Sequence, residues 1–260
     1  MRTINLLGTP LLITDYDRLA ADCLRWAREP RCRALDFANT QIVTLRRHDP
    51  AFRDLTESYD YFPADGMPLV WCLNRAGAGL RDRVYGPSFM RKFLASVPAH
   101  FTHYLLGGSE ECGAKLQRRF QQLNPGVKFI GAFHGKCHPN GHLDGDAESK
   151  LIAELQQLSP DFIWVGFGTP KQQAWVRRHK HLLRRGVILT VGFAFDVNAG
   201  MKPDAPKWMQ RCGLTWLYRL CSEPRRLGPR YLRYNFLFLY YLLQEGWRGS
   251  ARRREPGSLG

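Results

Sequence analysis

With 260 residues, 44% of them hydrophobic, the chain can bury a substantial core, and one α/β domain with an appendage fits the length better than two full domains. Its formal charge of +15 calls for an anionic partner, and seven cysteines, an odd number without paired Cys-x-x-Cys spacing, argue against both a disulfide framework and a zinc finger. The stretch NLLGTPLLI is broken by Gly8 and Pro10 and followed by Asp15 and Asp17, unlike a secretory signal, and no run of about 20 apolar residues offers a membrane span, so a reducing cytosol is the expected compartment.

Leu19, Ala20, Cys23, Leu24 and Ala27 follow helical spacing behind Asp15 or Asp17 as a cap, and residues 34–38 read as a short strand. Helices over 41–47 and 51–58 lead to the run YDYF, a turn over 63–66 and the apolar helix MPLVWCLNRAG. After VYGPSF comes a helix over 88–97, then a strand over 103–106 that ends in Gly107, Gly108 and Ser109, where EECGAKLQRRFQQL takes up helical periodicity. Past the turn Asn124-Pro125-Gly126, VKFIGAF is a strand, 146–158 a helix and FIWV at 162–165 a buried strand.

Gly166 and Gly168 break that strand where side chains would block close backbone approach. Thr169 is placed to cap a helix, with Pro170 at its first position and Gln172 completing a Thr-x-x-Gln capping box. Free amide N–H groups in a glycine turn at the carboxyl end of a strand are where open α/β sheets bind phosphates, so this turn is expected to wall an active site. VILTVGFAF is the last strand. Helices alternating with apolar strands predict an α/β fold with a mostly parallel sheet covered on both faces.

From residue 201 the composition changes: 12 Lys and Arg stand against 4 Asp and Glu, so this last quarter holds +8 of the charge. Aromatic residues concentrate there, and the run YLRYNFLFLYYLL is bordered by Arg225, Arg226, Arg230 and Arg233 on one side and by Arg248 and residues 252–254 on the other. Such a segment suits a membrane interface, with rings at headgroup depth and cations on anionic lipid; the competing reading docks it on the body through the same aromatics, and one face can do each. Residues 1–200 are therefore taken as the body, 201–248 as a helical basic and aromatic appendage that meets the membrane, and 249–260 as a disordered tail.

Several segments resemble the WecG/TagA/CpsF family of bacterial glycosyltransferases: PADGMPLVW from Pro63, RVYG from Arg83, LLGG from Leu105, GFGTPKQQAWV from Gly166, VGFAFDVNAG from Val191 and APKWMQRCGLTWLYRLCSEPRRL from Ala205. They stand in the family's order over roughly 39–231. The resemblance implies a Rossmann-like body with a membrane-recognising C-terminal appendage, and inverting transfer of an N-acetylhexosamine-type sugar, N-acetylmannosamine-like, from a UDP donor to a polyprenyl-diphosphate-linked sugar at the inner membrane face. It implies no required metal or cofactor, and it leaves room for a homo-oligomer.

An inverting transfer needs a base for the acceptor hydroxyl. Asp65, in the turn after YDYF, matches the aspartate proposed for that role in the family; the competing reading is a cap of the helix starting near Met67. Asn39 and Thr40 are expected to bind the acceptor sugar or orient the base, unless one is merely a helix cap. The family's threonine two positions before the asparagine is Phe37 here, and Thr40 is the available substitute, although its side chain is expected to point elsewhere. Arg83 matches an arginine that touches donor phosphate or the aspartate, against a solvated surface arginine. Gln172 matches a glutamine near the reaction centre although capping explains it, and Gln173 stands where the family usually has glutamate, removing a negative charge from the rim.

For the donor, Gly107 and Gly108 form a second glycine mouth beside Gly166 and Gly168; neither is a full Gly-x-Gly-x-x-Gly, so a diphosphate suits them better than a nicotinamide cofactor. Asp196 is a candidate for the uridine ribose, or a helix cap. Arg219, Arg225 and Arg226 are expected to offset the charge of the leaving diphosphate, against a solvated basic face, and the resemblance implies that the appendage carrying them closes over the site when it meets lipid. Asp144-Gly145-Asp146 has the Asp-x-Asp form of metal-dependent transferases but opens a helix in a polar loop, and His134, Cys137, His138 and His142 lack matched second ligands, so no metal is assigned. Against this stand a nucleic-acid-binding protein, unsupported by any RRM, KH or finger pattern, and another Rossmann enzyme using S-adenosylmethionine or NAD.

Overall fold

The computed structural model describes residues 1–252, with the side chains of Arg226 and of 246–252 outside the described set. The chain opens with an unforeseen hairpin, β1 (Thr3–Leu6) and β2 (Thr9–Leu12), turned at Leu7 and Gly8, both of which take positive φ. There follow α1 (Tyr16–Trp26), capped by Asp15, then β3 (Cys32–Asp36), α2 (Thr40–His48), α3 (Pro50–Thr56), β4 (Phe62–Pro63), α4 (Met67–Arg75) and α5 (Gly86–Ser96). Next come β5 (Thr102–Leu106), α6 (Glu110–Leu123), β6 (Lys128–Phe133), α7 (Ala147–Leu158), β7 (Phe162–Val165), α8 (Lys171–His179) and β8 (Gly186–Thr190). Four helices close the described chain: α9 (Ala194–Asn198), α10 (Lys207–Arg211), α11 (Thr215–Ser222) and α12 (Pro224–Arg252).

Five strands form one all-parallel sheet in the order β3-β8-β7-β5-β6, with helices on both faces, a Rossmann-like arrangement. Successive residues of β7 point to opposite faces: Ile163 and Val165 join one apolar cluster with Leu69 and Trp175, while Phe162 and Trp164 join another with Trp26 and Phe93. Burial on both sides is why β7 and β8 read as unbroken apolar runs. Strands β1, β2 and β4 make a small second sheet, and parallel bridges Leu35–Tyr61 and Ala38–Ala64 join it to the β3 edge. The Asp65 N–H donates to the Ala38 carbonyl at 2.7 Å, so Asn39 and Asp65 leave neighbouring strand ends side by side.

Two expectations are corrected. The last strand stops at Thr190: Val191 and Gly192 both donate to the Val165 carbonyl, Gly192 turns at φ 49°, and the FAF of VILTVGFAF lies at the start of α9 instead. Helix α12 runs through Arg252, so the tail expected from Gly249 begins as helix; 253–260 lie outside the described residues.

The appendage lies against the body. Thr40 Oγ1 donates to Asn235 Oδ1 at 3.3 Å, Thr44 Oγ1 reaches the Tyr234 carbonyl, His48 Nδ1 lies 2.7 Å from the Tyr241 hydroxyl, and Phe238 is buried in the core. The opposite face of α12 carries Leu232, Phe236, Leu239, Tyr240 and Leu243, each 56–79% exposed. Both readings of the aromatic run thus have a face, one docked and one bare. No helix among the described residues is long and apolar enough to cross a membrane.

Candidate active site

The carboxyl ends of β3, β4, β7 and β8 surround a pocket of about 390 Å³, which the appendage borders through Arg219, Leu227, Arg230 and Tyr231. Of the residues singled out from sequence, Asp65, Asn39, Gln172, Gly166, Gly168, Asp196 and Arg219 line it. Thr40, Arg83, Gly107, Gly108 and Arg225 do not, and the Arg226 side chain is outside the described set.

Asp65 does not cap the helix after it: Gly66 is the N-cap of α4, without a side-chain bond. Its half-buried carboxylate instead sits at the amino end of α5, where the Gly86 N–H donates to it. Burial lifts its pKa to about 7, opposed by the charges of Arg83 and Arg219 and by the Gly86 bond, and reinforced by Asp204. A carboxylic acid that would ordinarily be spent as a base near pH 4 is therefore poised close to neutrality.

Asn39 does cap a helix, its Oδ1 accepting from the Ile42 N–H at 3.1 Å, while the residue still faces the pocket. Thr40 does not replace the missing threonine, because its hydroxyl is turned to α12. Phe37 fills that part of the wall with a ring packed on Phe89 at 5.3 Å. Arg83 is buried rather than solvated: Nη1 donates to the Asp65 carbonyl at 3.2 Å, Nη2 to Thr215 Oγ1 at 2.9 Å, and the guanidinium lies over the Tyr85 ring.

The glycine mouths serve the backbone more than a ligand. Gly107 N–H donates to the Phe133 carbonyl, Gly166 N–H to Leu106 and Gly168 N–H to Gln172 Oε1, so these three amides are already committed. A Cβ on Gly166 would come within 2.6 Å of Phe195, and one on Gly107 within 3.0 Å of Phe167, which explains the glycines by packing. The expected capping box is displaced: Pro170, not Thr169, is the N-cap of α8, and Gln172 reaches back to Gly168. Gln173 is not at the rim; it is fully buried and donates to Asp36 Oδ2 at 2.9 Å.

Asp36 escaped notice in the sequence, where it only ends a short apolar strand. It is 1% exposed at the pocket floor, accepts also from Thr190 Oγ1 at 2.8 Å, and burial raises its pKa to about 6 against those two bonds and the charge of Arg46. Lys171, Lys202 and Arg230 line the pocket as well, joining Arg219 in a four-cation wall. The Arg219 guanidinium is stacked 3.9 Å from the Phe193 ring centre, and Lys202 bridges Asp196 at 3.4 Å and Glu223 at 2.9 Å. The block YRLCSEPRRL signalled Arg219; Lys171 stood unremarked within GFGTPKQQAWV, Lys202 carried no spacing that marks a site, and Arg230 was only one of a run.

The polar loop is occupied with itself. His138 Nε2 meets Asp144 Oδ1 at 2.5 Å, and Glu148 takes His142, buried His179, Arg178 and the Leu143 N–H. Among the described residues no three His, Cys, Asp or Glu are grouped to hold a metal ion.

Residues 4–252 match the family model described as the glycosyl transferase WecG/TagA/CpsF family. The chain is also 30% identical over 194 residues, 74% of its length, to proteins named N-acetylglucosaminyldiphosphoundecaprenol N-acetyl-beta-D-mannosaminyltransferase from Staphylococcus aureus strains MRSA252, MW2 and NCTC 8325, covering 72% of each.

Proposed function

This chain belongs to the WecG/TagA/CpsF family of glycosyltransferases, and from that premise we propose that it moves an N-acetylhexosamine-type sugar, N-acetylmannosamine-like, from a UDP donor to a polyprenyl-diphosphate-linked sugar with inversion. The observation that carries this reading is a single pocket in which a carboxylate of near-neutral pKa, Asp65, lies with Lys171, Lys202, Arg219 and Arg230. The acceptor hydroxyl oxygen attacks the anomeric carbon, the bond from that carbon to the donor phosphate oxygen breaks, and Asp65 takes the hydroxyl proton. The developing charge on the diphosphate is offset by the four cations, with arginine able to bind it bidentately. Charge compensation by the chain itself makes the reaction metal-independent and cofactor-free in this reading.

A lipid-linked acceptor places the reaction at the membrane surface. The bare stripe of α12, flanked by exposed Arg225 and Arg233, suits an anionic bilayer, with the protein peripheral on the inner face. The test is a set of UDP-sugars, UDP-N-acetylmannosamine among them, assayed with an N-acetylglucosamine acceptor on polyprenyl diphosphate. Transfer to that acceptor is expected, and UDP should raise Tm. Absence of transfer from every donor, together with a Tm raised by NAD or S-adenosylmethionine and not by UDP, overturns the reading.

A further inference from the structure

Arg83 presents an anomaly. A buried guanidinium close to carboxylates ordinarily forms a bidentate pair with one of them. Arg83 is only 6% exposed and is the strongest of the charges that favour ionised Asp65, yet no carboxylate among the described residues lies within 4.0 Å of it in an ion pair. Its hydrogen bonds go elsewhere, to the Asp65 backbone carbonyl and to the hydroxyl of Thr215, the first residue of α11 and itself 8% exposed. Its face is held by Tyr85, which is fixed in turn by its hydroxyl on Asp204 Oδ1 at 2.7 Å and by its N–H on the Tyr16 hydroxyl at 3.1 Å.

We propose that Thr215 is a positioning residue, which parks the Arg83 guanidinium away from the Asp65 carboxylate and so keeps that carboxylate unpaired and able to accept a proton. This rests on the reading of Asp65 as the base. Thr215 lies in the appendage and Arg83 in the body, so the same bond makes the basicity of Asp65 depend on how α11 is seated. Without the hydroxyl, Nη2 is left as a buried cationic donor without an acceptor, and turning toward the Asp65 carboxylate satisfies it. An Asp65 paired in that way holds its proton less tightly and is a weaker base. The other groups that bear on Asp65 are Arg219 from α11, Asp204 before α10, the Gly86 N–H of α5, and the hydroxyls of Tyr16 and Tyr85.

The experiment replaces the hydroxyl by a methyl of similar shape, Thr215→Val, in the full chain. Carboxyl carbon NMR, with the Asp65 signal assigned through Asp65→Asn, follows its titration directly and does not require that any sugar be transferred. The midpoint should fall by about one pH unit or more in Thr215→Val and stay at the wild-type position in Thr215→Ser. In the transfer assay the acid limb of kcat/KM should move down with it, and plateau kcat should drop about tenfold with the donor KM unchanged, the response to a weaker base. An Asp65 midpoint that stays or rises in folded Thr215→Val overturns the proposal; so does a Thr215→Ser protein that behaves as Thr215→Val. Should the valine protein fail to fold, Thr215→Ala is held to the same criterion. A shifted titration without any transfer activity sustains the positioning role of Thr215 and tells against the proposed reaction alone.

Discussion

Asp65 and Glu148 are both carboxylates set among cations, and their environments drive them in opposite directions. Glu148, beside the polar loop, accepts from His142, His179, Arg178 and a backbone N–H; burial pushes its pKa up, but the bonds from His179, the Leu143 N–H and Arg178 hold it at about 2. Asp65, at the carboxyl edge of the sheet, feels Arg83 and Arg219 but pairs with neither, and burial carries it up to about 7. The difference lies in where donors are aimed rather than in how much positive charge is nearby. Donors converging on Glu148 turn it into a fastening between loop, α7 and α8, whereas withholding them from Asp65 leaves a proton acceptor.

That contrast breaks most sharply with Asp65→Asn, which should lower turnover by about 10²- to 10⁴-fold while UDP still raises Tm; full activity in a transfer assay would remove Asp65 as the base. Next in size, Arg219→Ala should cost about 10²-fold in kcat through the unmet charge of the leaving diphosphate, read in the same assay, with little change in Tm. Glu148→Gln should do the reverse. It should cost about 1–3 kcal/mol in urea unfolding at pH 7, because an amide keeps one acceptor oxygen and must face its NH2 to one donor pair, His179 with Arg178 or His142 with the Leu143 N–H, while kcat stays near wild type.

The two groups also impose opposite pH signatures. Asp65 binds its proton more tightly folded than unfolded, so its contribution to stability is present below about pH 4 and is lost as pH rises through about 7, while kcat/KM should rise over that upper range. Glu148, depressed, contributes above about pH 4.3 and loses that contribution as pH falls toward about 2. Unfolding of each variant and of wild type across pH 2–8 separates them. The smallest expected effect on folding, within about 0.5 kcal/mol, belongs to Phe236→Asp on the bare face of α12, which should nevertheless reduce sedimentation with anionic liposomes about tenfold or more.

Much of the fold was legible because apolar strands and amphipathic helices carry their periods locally. FIWV, the cap at Asp15 and the helix EECGAKLQRRFQQL stand where spacing put them. The hairpin of β1 and β2 was missed because NLLGTPLLI was weighed as a leader, and the last strand was overextended because an apolar FAF reads alike in a strand and in a buried helix such as α9. In the pocket, Asp65, Asn39, Gln172 and Arg219 were marked by the resemblance and Asp196 by its place after the expected last strand, and the structure places all five together.

By itself the sequence determined the alternation of elements, the parallel sheet and the basic aromatic end, since each follows from contacts between near neighbours or from composition. Only the tertiary structure decided that Thr40 turns to α12, that Gln173 is buried against Asp36, that the Gly107 and Gly166 amides are already spent, and that Arg83 bonds to Thr215 rather than to a carboxylate. Where such a bond goes depends on which group distant in the chain arrives beside it, as at Arg83 and Thr215, 132 positions apart, and no local pattern encodes that arrival.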